Sequence, residues 1–265
     1  MYPRFLQFGA FVISTYGVLA VVAAFSGIAL WTSLARRTGL DTAKIQNAGL
    51  LAVVCVVVGA RLAVVLANWR GFLEAPLLIL AAGTLASSSA AMYGVLLAVI
   101  VTCIYLLRAR VPLLRAIDAA APAVVLALAI LDIGNFAAGS HYGAPAAVPW
   151  AVTYTSRFAA RITGVPLGIA LHPVQLYAAI GHFVLAAVLI FMLRLLTQYR
   201  AAARAGGVLG TALFAGGFLQ FALAPFSADY ADAPALLHIA TPAQAIAMLM
   251  VALGGVCWLL AVHHV

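Results

Sequence analysis

The sequence predicts an all-α integral membrane protein with seven transmembrane helices and a loop and helix segment at the outer face. Three observations predict it. The chain is 66% hydrophobic and 8% charged, where soluble domains are roughly 45–50% apolar and about 25% charged. Its apolar runs are continuous and reach the about 20 residues that cross a bilayer as a helix. None alternates with the period of a barrel strand. Fourteen Lys and Arg against six Asp and Glu give a formal charge of +8, and the positives are scattered between apolar runs. That scatter marks topology and speaks against a nucleic-acid partner.

Taken in order, the first span is expected from Phe8 to Leu34, ended by Arg36 and Arg37. Its apolar stretch is too long for a signal peptide, so it reads as a retained helix. The second runs from Ala48 to Trp69, with Arg61 embedded in GARL. The piece from Phe72 to Leu85, hinged by Pro76 and Gly83, is short and reads as re-entrant or interfacial. Ala90 to Leu107 and Leu113 to Leu131 form the third and fourth spans. The fifth runs from Val174 to Leu196, the sixth from Val208 to Pro225 and the seventh from Pro242 to Val262. Proline suits the start of that last helix, where its missing donor does no harm. One transmembrane domain over residues 1–265 is expected, with its outer segment at about 132–171.

Charge sets the expected orientation. Arg36, Arg37, Lys44, Arg108, Arg110, Arg115, Arg194, Arg200 and Arg204 fall in three connections on one side. Positive residues in short loops stay in the cytoplasm. The N-terminus is therefore expected outside, the C-terminus inside, and the segment 132–171 at the exterior of a bacterial inner membrane. Cys55, Cys103 and Cys257 each lie in an apolar run and read as small core residues.

Ionisable groups inside a membrane are functional suspects. Arg61 suits either a lipid phosphate or a structural partner such as Asp132. Pairing of Asp132 with Arg61 is the expected arrangement, because an unpaired buried carboxylate is costly. Asp118, near Arg115, reads as interfacial. His172 precedes Pro173 at a helix start and reads first as a hydrogen-bonder, second as a base. Asn135 follows Gly134 and is expected in a surface turn, its amide tied to backbone. The six histidines show no pattern of metal ligands, and no metal or cofactor is expected.

IGNFAAGSHYGAPAAVPW and, further on, HPVQLYA resemble the signature GRxGNFxNGExxGxPTxxPW and the HPxQLYE of the bacterial prolipoprotein diacylglyceryl transferase family. TYGVLAVVAAF, GARL, MYGVLLA and TPAQAIAM resemble further segments of that family, in the same order. The resemblance implies seven spans with the N-terminus outside. It also implies transfer of a diacylglyceryl group from phosphatidylglycerol to the cysteine thiol of a prolipoprotein. Tyr16, Asn135, Gly143 and His172 are the catalytic candidates it implies. Arg61, Gln175 and Tyr177, with Arg157 and Arg161 as replacement cations, are the lipid-binding candidates.

The sequence departs from the family where charge matters. Tyr93 stands for a histidine, Asp132 for an arginine, Ser140 and Ala178 for glutamates, Ala138 for an asparagine and Ser227 for an arginine. Low turnover is therefore expected, because the resemblance implies loss of the histidine and glutamates that could take the thiol proton and of the arginines that could hold the phosphate. The alternative is a lipid-binding relative without catalysis, serving as a structural subunit among other subunits of a membrane complex.

Overall fold

A computed structural model describes residues 4–8, 11–74, 88–198, 205–232 and 241–263. Among the described residues, seven helices are long and apolar enough to cross a membrane. They are α1 (Thr15–Arg37), α2 (Thr42–Ala67), α4 (Ser88–Arg108), α5 (Leu113–Ala138), α7 (Val174–Gln198), α8 (Gly207–Leu223) and α10 (Pro242–His263). Short helices α3 (Trp69–Glu74), α6 (Arg157–Thr163) and α9 (Asp229–Asp232) lie between them, with a 3-10 turn at Ala224–Phe226. Two small antiparallel ribbons complete the described residues. One joins β1 (Arg4–Phe8) to β2 (Phe11–Ser14), the other β3 (Val152–Thr153) to β4 (Ala170–Leu171).

Two expectations need correction. The first helix starts at Thr15, and the residues before it pair as a hairpin instead of continuing the span. The pairing of Arg4 with Ser14 and of Leu6 with Ile13 satisfies backbone groups that an unstructured lead-in would leave open. The fourth span also runs further than expected: α5 continues through Ala138, so Asp132 and Asn135 are helical. Of the piece Phe72–Leu85, only the part within α3 lies among the described residues.

Backbone contacts divide the chain into two compact units, residues 31–116 and residues 1–30 with 117–265. In the first, Asp41 caps α2 by accepting from the amides of Ala43 and Lys44. The Trp31 indole donates to the Ala116 carbonyl at 3.0 Å, and Lys44 Nζ to the Ala109 carbonyl at 3.0 Å. Helices α2 and α4 meet at Gly59 and Gly94. A Cβ on Gly94 would overlap the Val56 carbonyl oxygen, so the two backbones touch, as helix packing in lipid favours.

In the second unit α8 and α10 pack the same way, with the site of a Gly217 Cβ 2.7 Å from the Ala247 carbonyl. The N-terminus of α8 has no capping side chain of its own, since Gly206 precedes it. Asp118 of α5 supplies one, accepting from the amides of Gly206 at 2.6 Å and Leu209 at 2.8 Å. Asp118 is only 6% exposed, so the acid near the start of α5 is a buried cap for the neighbouring helix end.

Candidate functional site

The end of α5 builds the site. Gly139, at φ +80°, breaks the helix, and the Asn135 carbonyl accepts from the amides of Gly139 at 2.9 Å and Ser140 at 3.0 Å. This closure satisfies the last carbonyls of the helix and turns the chain outward. Asn135 is thus anchored through its backbone; its side-chain amide carries none of the described hydrogen bonds.

After that turn, residues 142–146 run as a central strand between two flanks. On one side the Ala144 amide donates to the Phe226 carbonyl at 2.8 Å and Ala228 to Tyr142 at 3.2 Å. On the other, His172 donates to the Ala144 carbonyl at 3.0 Å and Ala146 to Ala170 at 2.9 Å. Gly143 sits at the tightest point. A Cβ there would collide with the His172 carbonyl oxygen and stand 2.8 Å from Val174 Cγ2. Glycine is required because the backbone itself fills the space.

This ribbon holds an aromatic and polar cluster at the start of α7. His172 Nδ1 lies 3.4 Å from the Tyr177 hydroxyl, and the Trp150 indole donates to that hydroxyl at 2.6 Å. Phe226 meets the His172 ring edge-on, with centroids 5.1 Å apart. Trp150 is 61% exposed, so the cluster faces outward at its rim. Gln175 is buried behind it and donates through Nε2 to the Ser140 carbonyl at 2.8 Å and the Tyr154 hydroxyl at 3.3 Å. Its Oε1 has no partner among the described residues. Burial pushes the Tyr154 phenol above its ordinary value, against the Gln175 hydrogen bond, so the hydroxyl stays protonated and donates to the Phe136 carbonyl at 3.3 Å.

Tyr154 also centres a small core with Ala159, Val165 and Leu171. Ala159 and Ala160 bring α6 onto that core, and Ser156 caps it. Arg157 and Arg161, one turn apart on α6, are exposed. Arg4 stacks its guanidinium on the Phe158 ring of the same helix, 3.9 Å from the centroid. Arg61 lies half-buried in α2, in the other compact unit.

A second group lies deeper, along the same two helices. Tyr16, 40% exposed, rests its ring against Gly134, two residues along α5 from Asp132. Asp132 Oδ2 is 2.7 Å from His182 Nδ1, and the two side chains are 19% and 8% exposed. His182 is a partner that sequence reasoning, looking to Arg61, did not name. Asp132 and Asn135 are three apart on α5, and Gln175 and His182 seven apart on α7, so each pair shares a helix face.

Six of the nine candidates thus fall into two groups in one unit, while Arg157 and Arg161 lie on α6 and Arg61 in the other unit. Gly143, His172, Gln175 and Tyr177 assemble in the ribbon, and Tyr16 and Asn135 flank the acid–histidine pair. Phe226 and Tyr154 carried no sequence signal for the site. His182 did carry one, as an ionisable residue in the third turn of a span.

The sequence model for prolipoprotein diacylglyceryl transferase matches residues 3–260. The chain belongs to that family. Its relatives include proteins named phosphatidylglycerol–prolipoprotein diacylglyceryl transferase. The one from Synechococcus sp. (strain CC9902) is 33% identical over 149 residues, 56% of this chain and 52% of the relative. That from Parasynechococcus marenigrum (strain WH8102) is 31% identical over 199 residues, 72% and 68% of the two chains. That from Synechococcus elongatus is 28% identical over 209 residues, 77% and 69%. The chain therefore spans about half of the first relative and somewhat over two thirds of the other two. Three positions singled out in the sequence take part in this architecture. Ser140 offers its carbonyl to Gln175, Ser227 pairs with Gly143 in the ribbon, and Asp132 holds a histidine.

Proposed function

We propose that this multi-pass membrane protein binds phosphatidylglycerol at the outer face of the bacterial inner membrane and moves its diacylglyceryl group to a prolipoprotein cysteine, slowly. The observation that carries the reading is the ribbon site: a rim of Trp150, Tyr177 and His172 built on the same small core that presents Arg157 and Arg161. Tryptophan and tyrosine suit the headgroup level of a bilayer, and each basic residue there attracts anionic lipid by about 1 kcal/mol. The chemistry asks for a thiolate nucleophile and for donors at the departing phosphate. Here the exposed arginines of α6 meet the phosphate, and Tyr177 and Trp150 hold the glycerol end.

The resemblance supports a second reading, binding without turnover, because it sets an acid, Asp132, where the family carries an arginine. Vesicle assays separate the two. The purified chain in phosphatidylglycerol vesicles, given a lipobox peptide, should yield thioether-linked product at a low rate. Arg157→Ala with Arg161→Ala should weaken phosphatidylglycerol binding by roughly 10- to 30-fold, two contacts of about 1 kcal/mol each. Tight lipid binding with no thioether would leave the second reading standing.

A further inference from the structure

We propose that His182, held by Asp132, is the base that takes the thiol proton. The inference rests on the transferase reading and names the group that sequence comparison left missing. Three features of the structure point to it. The 2.7 Å contact runs to Nδ1, so Asp132 accepts the Nδ1 proton and fixes the tautomer in which Nε2 carries the lone pair. Nε2 carries none of the described hydrogen bonds. His182 also forms part of the wall of an apolar cleft of about 220 Å³ among α5, α7, α8 and α10.

That cleft explains why a positioned base is needed. Val124, Leu128, Leu185, Leu213 and Met250 line it, and Gln220 is its other polar side chain. An apolar wall offers a thiol no solvent to accept its proton, and an ordinary cysteine is mostly protonated at neutral pH. His182 contacts Asp132 of α5 and shares the cleft lining with Gln220 of α8 and Met250 of α10, while Tyr16 of α1 packs against Gly134, two residues from Asp132. Among these Asp132 is the acid, and Tyr16 is the other titratable side chain. The arrangement is the acid–imidazole half of a triad, waiting for a nucleophile that the substrate brings.

The step balances without a further reagent. Nε2 of His182 takes the cysteine S–H proton. A sulfur lone pair forms the S–C bond to the glyceryl carbon. The C–O bond to phosphate breaks, and its electron pair leaves on the glycerol phosphate. The imidazolium then returns its proton to that phosphate or to water. Asp132 keeps the ring in place throughout.

The test is the vesicle assay run from about pH 6 to about pH 9 on the full chain, with phosphatidylglycerol and a lipobox peptide. His182→Gln should lower turnover about 100- to 10,000-fold at neutral pH. The loss should shrink as pH rises towards the thiol's own value of about 8.5, because the peptide then ionises unaided. Asp132→Asn, which keeps the shape of the pair, should lose turnover in the same direction, with phosphatidylglycerol binding unchanged in both variants. Undiminished turnover in His182→Gln, or a loss by the same factor at every pH, overturns the base and leaves the transferase reading intact. Absence of thioether from the unaltered protein at every pH overturns both.

Discussion

Asp118 and Asp132 lie on one helix, and each resolves the cost of a buried carboxylate differently. Asp118 accepts two backbone amides at the start of α8, doing for that helix what Gly206 cannot. Hydrogen bonds to a charged group contribute about 1.5–3 kcal/mol each, and the amides left behind would be unpaired. Asp118→Ala should therefore lower the stability of the detergent-purified protein by several kcal/mol, read as a drop in melting temperature. Asp118→Asn should lose less, because one acceptor remains. An unchanged melting temperature in Asp118→Ala would sink this account. Neither acid's partner was legible in the sequence. Asp118 lies next to Arg115 and was read with that neighbour, yet its amides come from residues 88 and 91 positions away. Asp132 was given the one cation already singled out, whereas its partner, 50 positions on, is a histidine inside a span. Local spacing says which residues are expensive to bury, and only the fold says who compensates them.

At the scale of elements, all seven spans were legible, because length and continuous hydrophobicity suffice to define a membrane helix. Their ends were not. The α5 C-terminus is set by Gly139 in a left-handed conformation and by carbonyl closure onto Asn135, so the apolar count alone stopped the helix short at Leu131. The hairpin before α1 was hidden for the opposite reason: its residues are apolar enough to pass as helix. The ribbon through Gly143 was legible as a stretch of unusual composition, but its third partner, residues 226–228, arrives from beyond α8. Helix pairing is carried by small residues, and this gives a sharp expectation. At Gly94 even a Cβ overlaps the Val56 carbonyl, which is backbone and cannot swing aside. Gly94→Val should force α2 and α4 apart, at 1–3 kcal/mol or more on the scale of about what overpacking costs elsewhere. Lower melting temperature and aggregation in detergent would be the readout; a variant as stable as the parent would contradict the close approach.

For the whole molecule the deciding quantity is charge. Moving the diacylglyceryl group expels a phosphate, and negative charge grows on that group in the transition state. One well-placed donor in such a position is commonly worth about 2.7–4 kcal/mol, a factor of about 100 or more in rate. By resemblance two arginines of the family would serve here, and this chain has Asp132 and Ser227 at those positions. Asp132 spends its charge on His182, and Ser227 is engaged in the ribbon through its backbone. The proposed base therefore restores proton removal but does nothing for the leaving group. Arg157 and Arg161 are exposed on α6, which suits capture of an anionic lipid more than a fixed, desolvated contact with one phosphate oxygen. Capture raises occupancy, and stabilisation confined to the transition state is what raises turnover. The expected outcome is an enzyme that binds well and turns over poorly. Placed in a bacterium depleted of its own diacylglyceryl transferase, the chain should fail to restore growth at ordinary expression, although correctly inserted. Restored growth would mean that the α6 arginines also stabilise the departing phosphate in the transition state. Loss of that growth on Arg157→Ala with Arg161→Ala would then identify them as the missing donors.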